Sequence, residues 1–121
     1  MFNGDIDVSE DILKLCDVVI ISFHGFPPVK EEQINALKKM LKNPEVDIWG
    51  HPATMLRNCE LNRKEMEDII NLCIRNKVLI ENNLCPKYET PPDFLKLAGK
   101  LGAKTVIGSD AHSVWGLRKM I

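Results

Sequence analysis

Three histidines and one aspartate are the residues of this sequence whose types and spacing could do chemistry. His24 directly follows the apolar run that ends at Phe23, His51 directly follows the run that ends at Gly50, and Asp110 and His112 come shortly after the run that ends at Gly108. Neutral imidazole and carboxylate are good ligands for zinc, manganese or iron. Asp110 and His112 are two residues apart, so in an extended segment their side chains project to the same side. The sequence therefore predicts a divalent-metal site built from these four residues.

The elements that must position these residues alternate between short apolar runs and amphipathic stretches. Runs rich in β-branched residues predict four strands, at residues 17–23, 46–50, 77–81 and 104–108, and the first is expected to be buried on both faces. Five helices are predicted between and around these strands. The first is short and capped by Ser9, the second covers residues 29–42, and the third is capped by Asn62. The fourth is capped by Thr90, has Pro91 at its first position and ends at Gly102, and the fifth begins within residues 113–121. Repeated βα units imply a parallel sheet with right-handed crossovers, which places the chain in the α/β class.

The position of the histidines also bears on the shape of the sheet. In parallel α/β folds, ligand-binding groups collect at the carboxyl ends of the strands, where all three histidines fall. In a flat sheet ordered 1-2-3-4, the fourth strand would lie roughly 14 Å from the first, too far for shared metal ligands. A curved, barrel-like sheet would bring them together. The alternative is a small flat flavodoxin-like domain, although the sequence has no Gly-rich phosphate loop.

Other residues near the strand ends have a functional and a structural interpretation. Arg57, in the loop expected after His51, could hold a phosphate with its guanidinium fork, or be an ordinary surface residue. Asn83 and Glu81, at the end of the third strand, could contact substrate or support a metal ligand, and turn chemistry explains this segment equally well. Trp49 and Trp115 are most simply core or interface residues.

Composition limits the class of protein. The 121 residues are 45% hydrophobic and carry 17 acidic and 16 basic residues, for a net charge of -1. We expect one domain spanning residues 1–121, with no membrane span and no signal peptide, and the charge balance argues against nucleic acid as a partner. Cysteines stand at 16, 59, 73 and 85 without a Cys-x-x-Cys pair, which favours a reduced, cytoplasmic protein. Cys16 and Cys73 are expected in the core, as is the apolar stripe of the helix after Asn62: Met66, Ile69, Ile70 and Ile74.

Four segments of the chain resemble the PHP (polymerase and histidinol phosphatase) family. Residues 15–24 end in Ser-Phe-His, residues 46–52 end in Gly-His-Pro, residues 78–83 end in Glu-Asn-Asn, and residues 106–112 end in Ser-Asp-Ala-His. Their order and spacing match the family, and the resemblance runs over nearly the whole chain. It implies a distorted (β/α)7 barrel that binds up to three ions, commonly zinc or manganese, and hydrolyses phosphoesters.

The resemblance also implies roles for the four candidate ligands. His24 and His51 would share one ion, Asp110 would bind a second and His112 a third. A metal-bound water or hydroxide would attack phosphorus, and no side chain is assigned as the catalyst. Apart from the resemblance, Arg57 and Asn83 are the candidate substrate contacts, and we expect the substrate of an active enzyme to be a phosphorylated small molecule.

Departures from the family pattern indicate an incomplete barrel. The family site opens with a His-x-His that this chain lacks, and where the family usually has Glu-Ile-Asn the chain has Ile-Glu-Asn-Asn, which shifts Glu81 by one position. Barrels of this kind need about 200 residues or more. We therefore expect a four-stranded partial (β/α) barrel, the C-terminal part of a PHP domain.

Two functional hypotheses follow. The first is a metal-dependent phosphoesterase that is weak or inactive as this chain alone. The second is a non-catalytic PHP remnant that works by association, or one half of a split enzyme, because an open barrel leaves strand edges and an inner face uncovered. Its partner would be a second copy of the chain or an N-terminal PHP half.

Overall fold

The computed structural model describes residues 5–23 and 29–109. Its elements are α1 (Glu10–Leu13), β1 (Ile20–Ile21), α2 (Lys30–Leu41), β2 (Ile48–Trp49), α3 (Ala53–Asn58), α4 (Arg63–Arg75), β3 (Leu79–Asn83), α5 (Pro92–Leu101) and β4 (Thr105–Gly108). The four strands form one parallel sheet in the order β1-β2-β3-β4. The predicted α/β class and the parallel four-stranded sheet are confirmed. The helix predicted over residues 113–121, and Trp115 within it, lie outside the described residues.

One face of the sheet carries the core. The aligned residues Ile21, Trp49 and Ile80 are buried, and the Trp49 ring meets the Phe94 ring edge-on at a centroid distance of 5.8 Å. Helix α4 packs against both α2 and α5. Because parallel crossovers are right-handed, a sheet whose strands follow chain order carries its crossover helices on one side. The buried apolar residues of the described ranges accordingly form one cluster beneath these helices.

The other face of the sheet is open at β1. The prediction that the first strand is buried on both faces is wrong, since Val18 is 58% exposed and Ile20 is 56% exposed. Strand side chains alternate between faces, and at β1 only the face under the helices is covered in the described part of the chain. Ile107 is exposed as well, but its pairing with Asn82 places it on the side of Ile80, at the edge strand β4, and not on the open face. An apolar but uncovered sheet face is therefore a feature of this chain.

Local sequence signals set most helix ends. Asn62 and Glu65 form the predicted capping box at the start of α4, and Gly102 ends α5 in the left-handed conformation with φ 92°. The cap predicted at Thr90 is wrong by one residue, because Pro91 is the N-cap and α5 begins at Pro92. Thr90 is instead buried, and its hydroxyl bonds to the backbone of β3.

Three further expectations are corrected by the structure. Helix α3 stands where a loop was expected, so Arg57 is a helical residue. Ile74, expected in the core, is 37% exposed because it lies at the border of the α4 stripe. Cys16, also expected in the core, is exposed because it lies just beyond the end of α1.

None of the helices in the described ranges is both long enough and apolar enough to cross a membrane.

The cysteines should differ in reactivity. Burial raises the pKa of the Cys73 thiol to about 12 and raises the pKa of the Cys59 thiol as well, whereas Cys16 is exposed. Since the thiolate is the reactive form, a disulfide reagent at neutral pH is expected to modify Cys16 first and Cys59 and Cys73 only on unfolding. Mass spectrometry of the labelled native chain measures this. Early labelling of Cys73 would contradict the packing of α4.

Candidate functional site

His51 stands at the carboxyl end of β2, the edge of the sheet at which the sequence placed the candidate metal ligands. Strand β2 pairs in parallel with β1. The other three candidates, His24, Asp110 and His112, lie outside the described residues. Within residues 5–23 and 29–109, no three or more His, Cys, Asp or Glu side chains are grouped so that they could hold a metal ion. The metal site stays a prediction.

The backbone of His51 adopts an uncommon conformation that a neighbouring strand supports. Its φ of 27° lies in the region that residues other than glycine rarely adopt. The His51 backbone N–H donates to Glu81 Oε1 at 2.8 Å, which ties the end of β2 to β3. Such backbone conformations cost free energy and persist where surrounding contacts hold them. Here the holding contact is the Glu81 carboxylate.

The His51 ring is held from two sides. Its Nδ1 lies 3.3 Å from Thr54 Oγ1, and its face stacks on the Tyr88 ring at a centroid distance of 5.0 Å and an interplanar angle of 25°. Thr54 belongs to α3, and Tyr88 belongs to the loop between β3 and α5. Two elements therefore fix the direction of one imidazole, which suits a residue whose ring must point at a ligand.

Glu81 links three strands at the carboxyl edge of the sheet, which we call the rim. Its Oε1 also accepts a hydrogen bond from Asn83 Nδ2 at 2.9 Å. The neighbour on β4 is Gly108, where an added Cβ would overlap the Glu81 carboxylate. A larger residue at this position would require the Glu81 carboxylate to move. Glu81 therefore lies on the open face, opposite to its buried neighbour Ile80.

Asn83, which the sequence offered as a substrate contact, is only 1% exposed. Besides its bond to Glu81, its Oδ1 accepts from Cys85 N at 2.9 Å, and its backbone N–H donates to Thr90 Oγ1 at 3.0 Å. These bonds pin the β3–α5 loop, residues 84–91, to the strand and so hold Tyr88 beside His51. Asn83 supports the rim through this loop, and its contact with a substrate stays a prediction.

Arg57, the other candidate substrate contact, lines a cavity of about 370 Å³ together with Thr54, Asn58, Lys87 and Tyr88. Its Nη1 donates to the Lys87 carbonyl oxygen at 2.5 Å, and Lys87 Nζ lies 5.3 Å from the Tyr88 ring centroid. Thr54, Lys87 and Tyr88 were not predicted from the sequence to belong to this site. All three come shortly after a strand end, and this position could have indicated them.

A second cavity, of about 400 Å³, lies at the opposite edge of the sheet. Its lining includes Val78 and Leu79 at the start of β3 and Lys104 just before β4. Ligands of parallel α/β folds bind at the carboxyl ends of the strands, so the cavity at Arg57 is the functional candidate.

Comparison with known proteins bears on the chemistry of this rim. The chain is 32% identical over 117 residues to a probable phosphatase of Clostridium novyi (strain NT), covering 92% of this chain and 48% of the relative. It is 34% identical over 121 residues to a probable phosphatase of Thermoanaerobacter sp. (strain X514), covering 91% and 47%. The chain is similar to probable phosphatases.

A further similarity, at lower identity, is to a much longer protein. The chain is 28% identical over 115 residues to the DNA polymerase/3'-5' exonuclease PolX of Bacillus subtilis (strain 168), covering 93% of this chain and 20% of that protein. No protein-family model matches the chain. The chain spans about half the length of the probable phosphatases it matches.

Proposed function

We propose that this chain is part of a metal-dependent phosphoesterase of the PHP type that hydrolyses a phosphorylated small molecule. The observation that carries the proposal is its similarity to probable phosphatases over more than nine tenths of its length. The position of His51 at the carboxyl edge of a parallel sheet supports it, because that edge is where such folds bind their ligands.

The proposed metal ligands are His24, His51, Asp110 and His112. Imidazole and carboxylate donors fit zinc or manganese, and the fixed ring of His51 suits a ligand that must not reorient. A bound divalent cation would supply a Lewis acid that lowers the pKa of water. The described residues contribute the support: Glu81 holds the His51 backbone, and Thr54 and Tyr88 hold its ring.

We also propose that the four strands belong to a (β/α) barrel, as its C-terminal part. The sheet has the strand order and the one-sided helices that a barrel wall requires. Its open face carries exposed Val18 and Ile20, and the side chain of Glu81 is on the same face. In a closed barrel this face would be the interior. The strands that complete it would come from an N-terminal PHP half or from a second copy of the chain.

The test of the proposed function combines metal analysis with a phosphatase assay. The chain is purified alone and coexpressed with the part of the Clostridium novyi relative that it does not match. Both samples are loaded with zinc or manganese and assayed with p-nitrophenyl phosphate. We expect weak hydrolysis by the chain alone and clear hydrolysis by the complex.

The variant His51→Ala is expected to lower metal affinity and hydrolysis by at least about tenfold, since it removes one ligand of a small set. Lys100→Ala, on an exposed surface of α5, is the matched control and should change neither. Metal content is read by mass spectrometry, independently of activity. A complex that binds metal stoichiometrically yet hydrolyses no phosphoester would refute the proposed function.

A non-catalytic association module is the second candidate, and the exposed apolar residues of β1 favour it. Large exposed apolar patches commonly mark interaction surfaces. Light scattering distinguishes the two functions when it is paired with the assay above. A stable oligomer without metal or hydrolysis would support the module, and a monomer would argue against it.

A further inference from the structure

The cavity between α3 and the β3–α5 loop has the chemistry of an oxyanion site. Its lining includes the two basic residues Arg57 and Lys87, and the remaining lining residues are polar or aromatic: Thr54, Asn58 and Tyr88. No carboxylate is among the described residues that line it. In a chain whose net charge is only -1, this is a local concentration of positive charge.

The guanidinium is already oriented before any ligand arrives. One Nη donates to the Lys87 carbonyl oxygen at 2.5 Å, which joins α3 to the loop and leaves other N–H groups of the fork for a ligand. The loop is itself pinned to β3 through Asn83 and Thr90. A guanidinium held in this way loses less conformational entropy on binding than a free one.

The cavity adjoins the proposed metal ligand. Tyr88 contacts the His51 ring on one side and contributes to the cavity wall, and Thr54 does the same from α3. A volume of about 370 Å³ accommodates a phosphate group together with part of the molecule that carries it. The neighbouring groups are thus arranged along one rim: imidazole, aromatic ring, then two cations.

From this arrangement we propose that Arg57 and Lys87 form a phosphate-binding pocket that recognises an anionic group of the substrate without a metal ion. This inference rests on the proposed function for the identity of the ligand as substrate, but anion binding itself does not need it. The anionic group is either the phosphate that is cleaved or a second one elsewhere on the same molecule. Bidentate guanidinium contacts favour phosphate in both cases.

The test measures binding of inorganic phosphate to the chain in excess chelator, by heteronuclear NMR titration. We expect saturable shifts at Arg57, Lys87 and Tyr88. Arg57→Ala and Lys87→Ala should each weaken binding about tenfold, because each removes a charge-assisted hydrogen bond. Arg57→Lys should recover only part of the affinity, since it restores charge without the fork. Lys100→Ala is the matched control and should bind as the original chain does.

Phosphomonoesters with and without a second anionic group show which group the pocket binds in the metal-loaded complex. If the pocket holds the phosphate that is cleaved, both cationic variants raise KM for every phosphomonoester. If it holds a second anionic group, they raise KM only for esters that carry one. Phosphate binding without hydrolysis would reject the proposed function and keep the pocket. Phosphate that fails to bind the folded chelated chain, or that binds Arg57→Ala and Lys87→Ala unchanged, would overturn the pocket.

Discussion

Gly108→Ala is expected to destabilise the chain by about 2 kcal/mol, because the new Cβ displaces a carboxylate that makes two hydrogen bonds. The Glu81 carboxylate occupies the space beside Gly108 and accepts from His51 N at 2.8 Å and from Asn83 Nδ2 at 2.9 Å. Moving it would release the backbone of His51 from its held conformation. The free energy of unfolding, measured by urea denaturation, reports the loss.

Gly99→Ala is the matched control for this substitution. Gly99 lies within α5, and a Cβ added there has nothing within 4 Å. Alanine should stabilise the chain by about 0.5–1 kcal/mol, since glycine is the poorer helix former. Under the proposed function, Gly108→Ala should also lower metal affinity about tenfold, as loss of a group that supports a ligand does. Equal stability of the two variants would mean that Glu81 does not hold this rim.

Ile21→Ala is expected to cost about 3 kcal/mol, whereas Ile20→Ala should cost less than about 1 kcal/mol in the isolated chain. The two residues are neighbours on β1, yet Ile21 is 3% exposed and Ile20 is 56% exposed. Truncating Ile21 leaves a cavity under the helices, and truncating Ile20 removes a side chain that is half in water already. Both variants delete the same atoms, so the difference between their free energies of unfolding reports which face of the sheet is buried.

The same pair tests whether the open face becomes an interior. In the complex with the remaining half of a relative, Ile20→Ala should become costly, approaching the effect of Ile21→Ala. Denaturation of the isolated chain and of the complex gives both differences. If Ile20→Ala stays harmless in a stable complex, the added half does not cover this face, and the barrel proposal fails.

The sequence by itself determined the order of the four strands and of the described helices other than α3, together with several of their ends. The β-branched runs, the Asn62–Glu65 box and Gly102 act over a few residues, so their effects can be derived without the rest of the chain. The strand-end position of His51 followed from the same local pattern. The parallel order of the strands followed from the repeated βα units.

Only the tertiary structure decided which side of the sheet is covered. A run of apolar residues such as 17–23 shows no alternation, so its sequence does not distinguish a strand buried on two faces from one with an open side. Thr90 was expected to cap α5, but its hydroxyl bonds instead to the backbone of β3, at Asn83 and Glu81.

The arrangement around His51 is likewise a product of chain segments that are distant in sequence. Glu81 is 30 residues away from His51, and Arg57 is 30 residues away from Lys87. Local patterns carry no information about such contacts, because they arise when the crossovers bring strand ends and loops to one edge. The residue types at that edge were readable from the sequence, but which of them touch is fixed by the packing of α3 and the β3–α5 loop against the sheet.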